Sequence, residues 1–463
     1  MKNDSRIVWD MELINRYDLS GPRYTSYPTA VQFDPALSAS ELVHQGQNSA
    51  DKQAPLSLYV HIPFCAHVCY YCACNKVITR NRDRAQPYLE TVYREMEQLS
   101  QWYSDDRIVD QLHWGGGTPT FISDSQMYEL MQALRRQFNL RNDDQGDYSI
   151  EIDPREASPE TLDVLRQTGF NRISLGVQDL DPQVQQAVNR VQPLEQTQAV
   201  LDKARQLGFS SINMDLIYGL PHQSLESFDK TLDVVIGMNP DRLSVFNYAH
   251  LPDRFRSQKH INPEQLPSPE TKLAILQHSI NKLLDAGYVY IGMDHFAKPD
   301  DSLALAQAAG QLHRNFQGYT THAECDLVAM GVSAISQIGR VYYQNEHDLA
   351  AYTQAVTQQK HAIRRGVCLT DDDIIRGAVI NQLICHFELD TTTIEQRFGI
   401  LFNDYFNQEQ SELTQFEADG LIQRHGSRIE VTPAGRLLIR RICMAFDAYI
   451  PKQQPTRGYS RII

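Results

Sequence analysis

From residue 56 onward, short runs of apolar side chains alternate with stretches in which apolar residues recur every three or four positions. Leu56-Ser57-Leu58-Tyr59-Val60-His61-Ile62 predicts a strand. Residues 84–103, with apolar side chains at 88, 92, 96 and 99, predict a helix. Ile108 to Trp114 predicts a second strand, and residues 124–138 an amphipathic helix carrying Met127, Leu130, Met131 and Leu134. The alternation continues with strands at Tyr148 to Ile152, Arg172 to Val177, Ser211 to Ile217 and Arg242 to Tyr248. Helical stretches fill 158–168, the region up to about 207, and 224–237. Six strand–helix units at this spacing imply right-handed crossovers and a parallel sheet. Their number points to an open, partial barrel rather than a flat doubly wound sheet, although periodicity alone is compatible with both.

The flanks differ. Residues 1–55 read as an N-terminal arm. Its segment Gly21-Pro22-Arg23-Tyr24-Thr25-Ser26-Tyr27-Pro28-Thr29 has two prolines and two tyrosines, a pattern for neither a helix nor an inner strand. It is either an ordered arm lying on another part of the chain or an exposed leader. After about residue 366 a helical stripe of Ile374, Ile375, Val379, Leu383 and Ile384 appears. A second apolar stretch over 413–422, a turn at His425-Gly426-Ser427 and a last helix after Thr432-Pro433-Ala434-Gly435 follow. Helix, hairpin and helix make a winged-helix-like pattern. The division expected is therefore 1–55, 56–365 and 366–463, more than one core for a chain of 463 residues.

Charge narrows the function classes. There are 43 Lys and Arg against 57 Asp and Glu, a formal −14. Such a surface repels nucleic acid and anionic membrane, which speaks against the winged-helix pattern as a DNA reader. No stretch approaches the roughly 20 apolar residues of a membrane span. Met1-Lys2-Asn3-Asp4-Ser5-Arg6 opens no apolar run, so a cytoplasmic protein without a secretory signal is expected.

Cysteine placement carries the chemistry. Four of eight cysteines, Cys65, Cys69, Cys72 and Cys74, fall within ten residues directly after the first strand. Cys325, Cys368, Cys385 and Cys443 are scattered and read as small buried hydrophobes. Packed thiols in a long chain indicate metal or redox chemistry, iron–sulfur or zinc. A structural zinc site commonly uses two separated pairs, and no second pair exists here. Three ligands on a cluster leave one iron open to an outside molecule. Gly115-Gly116-Gly117-Thr118-Pro119 ends the second strand and is neither a dinucleotide fingerprint nor a P-loop. It is a tight turn or, beside the cysteine loop, a wall across which backbone approaches a cofactor. Glu151 and Asp153, Gln178 and Asp179, and Asp215 fall at or near the ends of later strands, with Arg190 beyond; each is a cap or ion pair alone, and a site together. Asp294-His295 and His313-Arg314 read as polar core.

The CxxxCxxC spacing followed by a strand-end Gly-Gly-Gly-Thr-Pro resembles the radical S-adenosylmethionine (SAM) enzymes. Further segments resemble, more narrowly, the oxygen-independent coproporphyrinogen III oxidase family over nearly the whole chain. They are Pro22–Pro28, His61-Ile62-Pro63-Phe64-Cys65, Cys74, Glu151–Arg155, Gly176–Asp179, Tyr218–Pro221, Ser244–His250, Gly292–Phe296, Asn315–Thr321 and the terminal Ser460-Arg461-Ile462-Ile463. The resemblance implies a three-quarter (β/α)6 barrel with an N-terminal arm and a mainly helical C-terminal domain. It implies that Cys65, Cys69 and Cys72 hold a [4Fe–4S] cluster, while Cys74 is a family feature outside the ligand set. Tyr59, Tyr71, Gly116, Gly117, Thr118, Glu151, Gln178, Arg190, Asp215, Ala249 and Ile335 match the family's SAM-contacting positions, for two SAM molecules.

The implied reaction turns two propionates of coproporphyrinogen III into vinyl groups, a step of porphyrin and haem biosynthesis. Its attacked C–H bond is beyond acid–base chemistry, so a 5′-deoxyadenosyl radical generated from SAM at the cluster takes the hydrogen atom. Cys74, Arg23 and Glu151 are the candidate catalytic residues. Arg23 is the expected contact to the carboxylate-rich substrate, because a guanidinium suits a carboxylate. The arm and the C-terminal domain are expected to serve as covers that exclude water and oxygen. A small redox protein is expected as electron donor, with no nucleic-acid or membrane partner and a monomeric chain. A haem chaperone of the same superfamily is the alternative, although such relatives typically lack the Arg-Tyr-Thr-Ser-Tyr-Pro arm and the fourth cysteine.

Overall fold

The computed structural model describes residues 7–103, 107–359, 361–450 and 459–462. The N-terminal hexapeptide and Ile463, both used in the sequence reading, lie outside them. Contacts group the chain into two compact units that do not follow its linear division. The larger comprises Phe33–His278 and Glu324–Cys368. The smaller comprises Met1–Gln32, Ser279–Ala323 and Leu369–Ile463. Residues 33–55, read as part of the arm, thus belong with the sheet, and residues 279–323, read as part of the barrel segment, belong with the C-terminal region. Among the described residues no helix is long and apolar enough to cross a membrane.

The larger unit is a mixed α/β structure. Its parallel strands are β1 (Leu56–Ile62), β2 (Ile108–Gly116), β3 (Asp147–Ile152), β4 (Arg172–Gln178), β5 (Ser211–Tyr218) and β6 (Arg242–Asn247), side by side in chain order. A seventh parallel strand, β7 (Asp326–Met330), pairs with the other edge of β1. Antiparallel β8 (Ile335–Ile338), β9 (Val341–Asn345) and β10 (Ile363–Cys368) extend the sheet beyond it. The crossovers carry α2 (Ala85–Tyr103), α3 (Asp124–Gln137), α4 (Pro159–Thr168), α5 (Leu194–Gln206) and α6 (Leu225–Met238), close to the stretches their periodicity predicts. Each helix start has a local cause where a cap is present. Ser123 and Ser224 close capping boxes before α3 and α6, and Ser158 caps α4 with proline at its first position.

Several helices were not legible, including Pro269–Asp285 and α1 (Ala39–Ser49). α1 lies against β9 and β10. Gly366 makes this packing possible, since a Cβ there would meet the Leu42 side chain at 2.7 Å and the Tyr342 carbonyl oxygen at 2.6 Å. Asp34 pairs with Gly366 through both backbone bonds, at 2.7 and 3.2 Å, and fixes the entry to this helix.

The strands set the site by period two. On β3, Tyr148, Ile150 and Ile152 are buried while Ser149 and Glu151 face the other side. On β4, Ile173, Leu175 and Val177 are buried while Ser174, Gly176 and Gln178 face out, and on β5 Asn213, Asp215 and Ile217 do the same. Register lines these up: His113 opposite Ser149, Glu151 opposite Ser174, Ser174 opposite Asn213, Gly176 opposite Asp215. A polar row therefore crosses the sheet on one face.

The smaller unit holds the short helix Met11–Tyr17 and the C-terminal region. There α7 (Asp371–His386) begins at a Thr370 capping box and carries the expected buried stripe. Strands β11 (Glu388–Asp390), β12 (Ile422–His425) and β13 (Arg428–Val431) form a three-stranded sheet, with the hairpin at the expected turn. The Pro22–Pro28 segment is irregular, as its prolines require, and it is ordered: Tyr24 and Tyr27 are buried, and Tyr24 donates to Asp447 at 2.9 Å. Arg440 holds its start by donating to the carbonyls of Gly21 and of Pro22, the latter at 2.8 Å.

Candidate functional site

The cysteine loop leaves β1 through Pro63 and the two-residue strand Phe64–Cys65, which pairs in parallel with Val77–Ile78. The loop is tied down from several directions. Tyr70 N–H donates to Val188 O at 3.0 Å, and the Asn189 amide to Val68 O at 2.8 Å. Ser257 donates to Cys72 O at 2.9 Å and Gln258 to Tyr71 O at 3.0 Å, so the segment after β6 holds its far side.

Cys65, Cys69, Cys72 and Cys74 all line one cavity of about 270 Å3 above the polar row. All four are free thiols. Burial pushes the Cys65 thiol up to about 12, against a hydrogen bond from the Thr118 hydroxyl at 3.4 Å. A hydrogen bond from the Cys74 thiol pulls Cys72 down to about 6 despite burial, with the Lys76 ammonium adding to it. The Cys74 backbone N–H also donates to Cys72 Sγ, at 3.4 Å.

Cys69 receives two guanidinium groups. Arg190 Nη1 lies 3.5 Å from its sulfur and Arg155 Nη2 3.7 Å. Both arginines converge on Asp153 Oδ2, at 2.9 and 2.7 Å. Burial would raise Asp153, but Arg190 and Arg155 hold it down to about 2. Arg190 donates its remaining Nη2 to Gly176 O at 2.7 Å, and its buried Nε has no partner among the described residues.

The glycine turn seals the opposite wall. Gly117 N–H donates to Ile62 O and Thr118 N–H to Phe64 O, both at 2.8 Å, which binds the turn to the start of the cysteine loop. Gly116 has φ +117°, and a Cβ would sit 2.6 Å from the His61 ring. A Cβ on Gly117 would sit 2.7 Å from the Pro63 carbonyl. Glu151 Oε2 accepts from Gly116 N–H at 3.1 Å, and Oε1 faces His113 Nε2 at 3.4 Å. Burial favours its neutral form, but His113 and the Gly116 amide outweigh that and keep Glu151 below the usual carboxylate value. His113 Nδ1 in turn lies 2.7 Å from the Ser149 hydroxyl. Asp215 accepts from Ser174 and Asn213 at 2.8 Å each, yet burial dominates and raises it.

Of the sequence candidates, Tyr71, Gly116, Gly117, Thr118, Glu151, Gln178, Arg190 and Asp215 share this cavity wall with the cysteines. Tyr59, Ala249 and Ile335 lie outside that lining. Tyr59 stacks on His113 with ring centroids 5.8 Å apart and its hydroxyl is 3.1 Å from His61 Nδ1. Arg23 belongs to the smaller unit, where it pairs with Asp294. Arg314 there is buried over the Tyr319 ring at 4.6 Å, in keeping with a polar core. The roles of His113, Ser149 and Arg155 were missed. The period-two pattern of β3 already placed Ser149 on the face of Glu151, His113 joins them only through the pairing of β2 with β3, and Arg155 stood in the Glu151–Arg155 motif without an assignment.

The residues fit an iron–sulfur cluster and SAM. Three thiols converge on one cavity, a buried guanidinium nitrogen has no partner among the described residues, and two glycines leave a cradle that Cβ atoms would fill.

A family model described as the radical SAM superfamily matches residues 59–235, and one described as the HemN C-terminal domain matches residues 369–438. The chain is 57% identical over 457 residues to the oxygen-independent coproporphyrinogen III oxidase of Pseudomonas aeruginosa, covering 99% of each chain. It is 50% identical over 458 residues to the Escherichia coli protein of the same name, again covering 99% of each. A solved structure, coproporphyrinogen III oxidase (HemN) from Escherichia coli, described as a radical SAM enzyme, superimposes with a TM-score of 0.92 at 50% identity, over 96% of this chain and 100% of that one.

Proposed function

This chain belongs to the oxygen-independent coproporphyrinogen III oxidase family of radical SAM enzymes, and from that membership we propose its reaction and the roles of its residues. It is a radical SAM oxidoreductase that converts coproporphyrinogen III to protoporphyrinogen IX in haem biosynthesis. One joint observation carries the reading: identity over nearly the full length, and a cavity whose wall unites the three cysteines with eight of the eleven SAM-contact candidates.

Cys65, Cys69 and Cys72 would hold the cluster, giving up their protons on binding. When bound, the cluster and SAM supply a 5′-deoxyadenosyl radical that takes a hydrogen atom from a propionate. Gly116 and Gly117 let a ligand approach backbone, while Glu151 and Asp215 offer carboxylates to its ammonium or hydroxyl groups. The binding of two SAM molecules is proposed from the family resemblance. Cys74 acts as a thiol beside Cys72, outside the ligand set. Tyr59, Ala249 and Ile335 complete the SAM contacts, and Arg23 binds a substrate carboxylate.

The larger unit's parallel strands, with the site at their C-terminal ends, support a three-quarter (β/α)6 barrel. The division 1–55, 56–365 and 366–463 is kept only as a proposed functional division, since contacts group residues 33–55 with the sheet and 279–323 with the C-terminal region. Eight free cysteines suit a reducing cytoplasm. A monomer and a small redox protein as electron donor complete the reading. The haem-chaperone alternative has no observation in its favour, since the arm and Cys74 are both present and the relatives match end to end as oxidases.

The test is anaerobic incubation of reconstituted protein with SAM, a reductant and coproporphyrinogen III, following protoporphyrinogen IX and 5′-deoxyadenosine together. Both products form, and both are lost in Cys69→Ser. Tight haem binding with neither product, from protein carrying an intact cluster, would overturn the assignment in favour of the chaperone.

A further inference from the structure

The acidic chain carries an unexpected basic face around its cysteine loop. Between residues 76 and 84 lie Lys76, Arg80, Arg82 and Arg84 against the single acid Asp83, in a protein of formal charge −14. Arg80, Arg82 and Arg84 are exposed, and so is Ile78 at 42%. A second basic segment, Arg254, Arg256 and Lys259, is also exposed and follows directly on the exposed Asp253. Both segments grip the same loop. Thr79 N–H donates to Cys65 O at 2.9 Å and Val77 N–H to Pro63 O at 2.7 Å on one flank. On the other flank, Ser257 and Gln258 hold Cys72 and Tyr71.

Some of these charges serve the fold: Lys76 donates to Cys72 O at 3.0 Å and Arg254 covers the Phe255 ring. Arg82 pairs with Glu156 at 2.6 Å and covers the Phe121 ring. Among the described residues Arg80 and Arg84 show no carboxylate partner. Their position is electrostatically unfavourable, because residues 82–84 form the turn that leads into the 19-residue helix α2. The positive end of that helix dipole favours Asp or Glu, and a cation there costs roughly 0.3–1 kcal/mol. α2 has no acid in its own first turn, and Asp83 is the one acid in the turn that leads into it. An acidic protein that keeps unpaired cations at a helix N-terminus, beside its thiols, has a use for them outside the fold.

We propose that the face formed by residues 76–84 and 254–259 docks a small acidic protein carrying a low-potential one-electron centre, flavin or iron–sulfur. One electron leaves that carrier and enters the cluster, with no atom transferred. The hydrogen-bonded strand pair Phe64–Cys65 and Val77–Ile78 joins the docking face directly to a cluster ligand. The inference rests on the reading that Cys65, Cys69 and Cys72 hold a reducible cluster. Charge complementarity favours a protein carrier: its acidic surface matches a broad exposed face, and such steering raises encounter rates by about 10- to 1,000-fold at low salt. Attraction of the tetra-anionic porphyrinogen is the competing use.

The test compares the cluster-loaded protein with its Arg80→Glu/Arg84→Glu variant, using an acidic flavodoxin as the probe. Binding is read by calorimetry, and electron delivery by the rate of cluster bleaching without porphyrinogen. The variant is expected to bind flavodoxin about 10-fold more weakly and to be reduced by it about 10-fold more slowly at low ionic strength. The difference should vanish near 1 M salt, where charges are screened beyond about 3 Å. Bleaching by photoreduced deazaflavin should stay within about 2-fold, which also reports an intact fold, and Arg80→Gln/Arg84→Gln should fall between parent and reversal. Equal flavodoxin affinity in parent and variant overturns the proposal. So does an unchanged flavodoxin response with a raised KM for coproporphyrinogen III, which assigns the face to substrate. If deazaflavin fails to reduce the unmodified protein, the cluster reading itself fails instead.

Discussion

Replacing Glu95 by glutamine removes a charge from the interior of the larger unit while keeping the side chain's shape. Glu95 lies on the buried face of α2 and is 3% exposed. Its Oε2 accepts from Gly331 N–H at 2.7 Å and from the Tyr352 hydroxyl at 2.6 Å, and its Oε1 from the Asn345 amide at 2.6 Å. Burial outweighs these three donors and raises the carboxyl from 4.5 to about 7. A raised carboxyl means the folded state holds the proton more tightly than the unfolded one. The stability it confers is therefore complete below about pH 4.5 and is lost as pH rises towards 7. At 1.36 kcal/mol per pH unit the loss comes to about 3 kcal/mol.

Glutamine has no such slope. Its amide oxygen can keep Gly331 and Tyr352, but its nitrogen then faces the Asn345 amide, another donor, so one buried hydrogen bond is lost at a cost of about 1 kcal/mol. Glu95→Gln should thus be the less stable protein near pH 5 and the more stable one near pH 8. Hydrogen exchange over the peptide containing Gly331 and Val332, corrected for the intrinsic rate at each pH, reads this locally. Parallel protection curves for the two proteins from pH 5 to 8.5 would refute the reasoning. The same region bears on the site. Tyr88, also on α2, donates to His61 O at 2.5 Å and accepts from Val332 N–H at 3.2 Å. The helix therefore ties the strand before the cysteine loop to the turn before Ile335.

Gly117→Ala sets a Cβ against the Pro63 backbone, which cannot rotate away. It should cost about 1–3 kcal/mol and weaken SAM binding measured by equilibrium dialysis; unchanged affinity would contradict the tight seal. Arg155→Leu removes one of two cationic hydrogen bonds to Cys69, so the midpoint potential of the loaded cluster, followed by redox titration with electron paramagnetic resonance, should fall because the more negative reduced form loses a counter-charge. Arg23→Ala should retain cluster and SAM binding and lose turnover, and full turnover would sink its role as a substrate contact. The same substitution removes the cation that, against burial, holds Asp294 below its usual value, so Asp294 should titrate at a higher pH.

What could be read from the sequence follows from which forces act locally. The six strands and their helices were legible because each strand buries alternate or continuous apolar positions and each helix carries its own apolar stripe and, often, its own cap. The cysteine loop was legible because thiol spacing alone limits what it can hold. The role of α1 was not, since its packing depends on Gly366, more than 300 residues away, having no side chain. Nor was the grouping of residues 279–323 with the C-terminal region, which is a matter of contact and leaves no periodic trace.

The site shows the same limit more sharply. Glu151, Gln178 and Asp215 could be singled out as polar residues at or near strand ends, but what each can do is set by partners on neighbouring strands. His113 reaches Glu151 only because β2 and β3 pair in the register that sets His113 opposite Ser149. A shift of one residue would turn His113 to the face opposite Ser149 and Glu151. The same holds for Asp153: as a lone carboxylate after β3 it is unremarkable, and as the meeting point of Arg155 and Arg190 it aims two cations at one thiol. Residue type and spacing thus select the chemistry available to this chain. Strand register decides which of those residues act on the same atom, so the second question is answered only at the level of the fold.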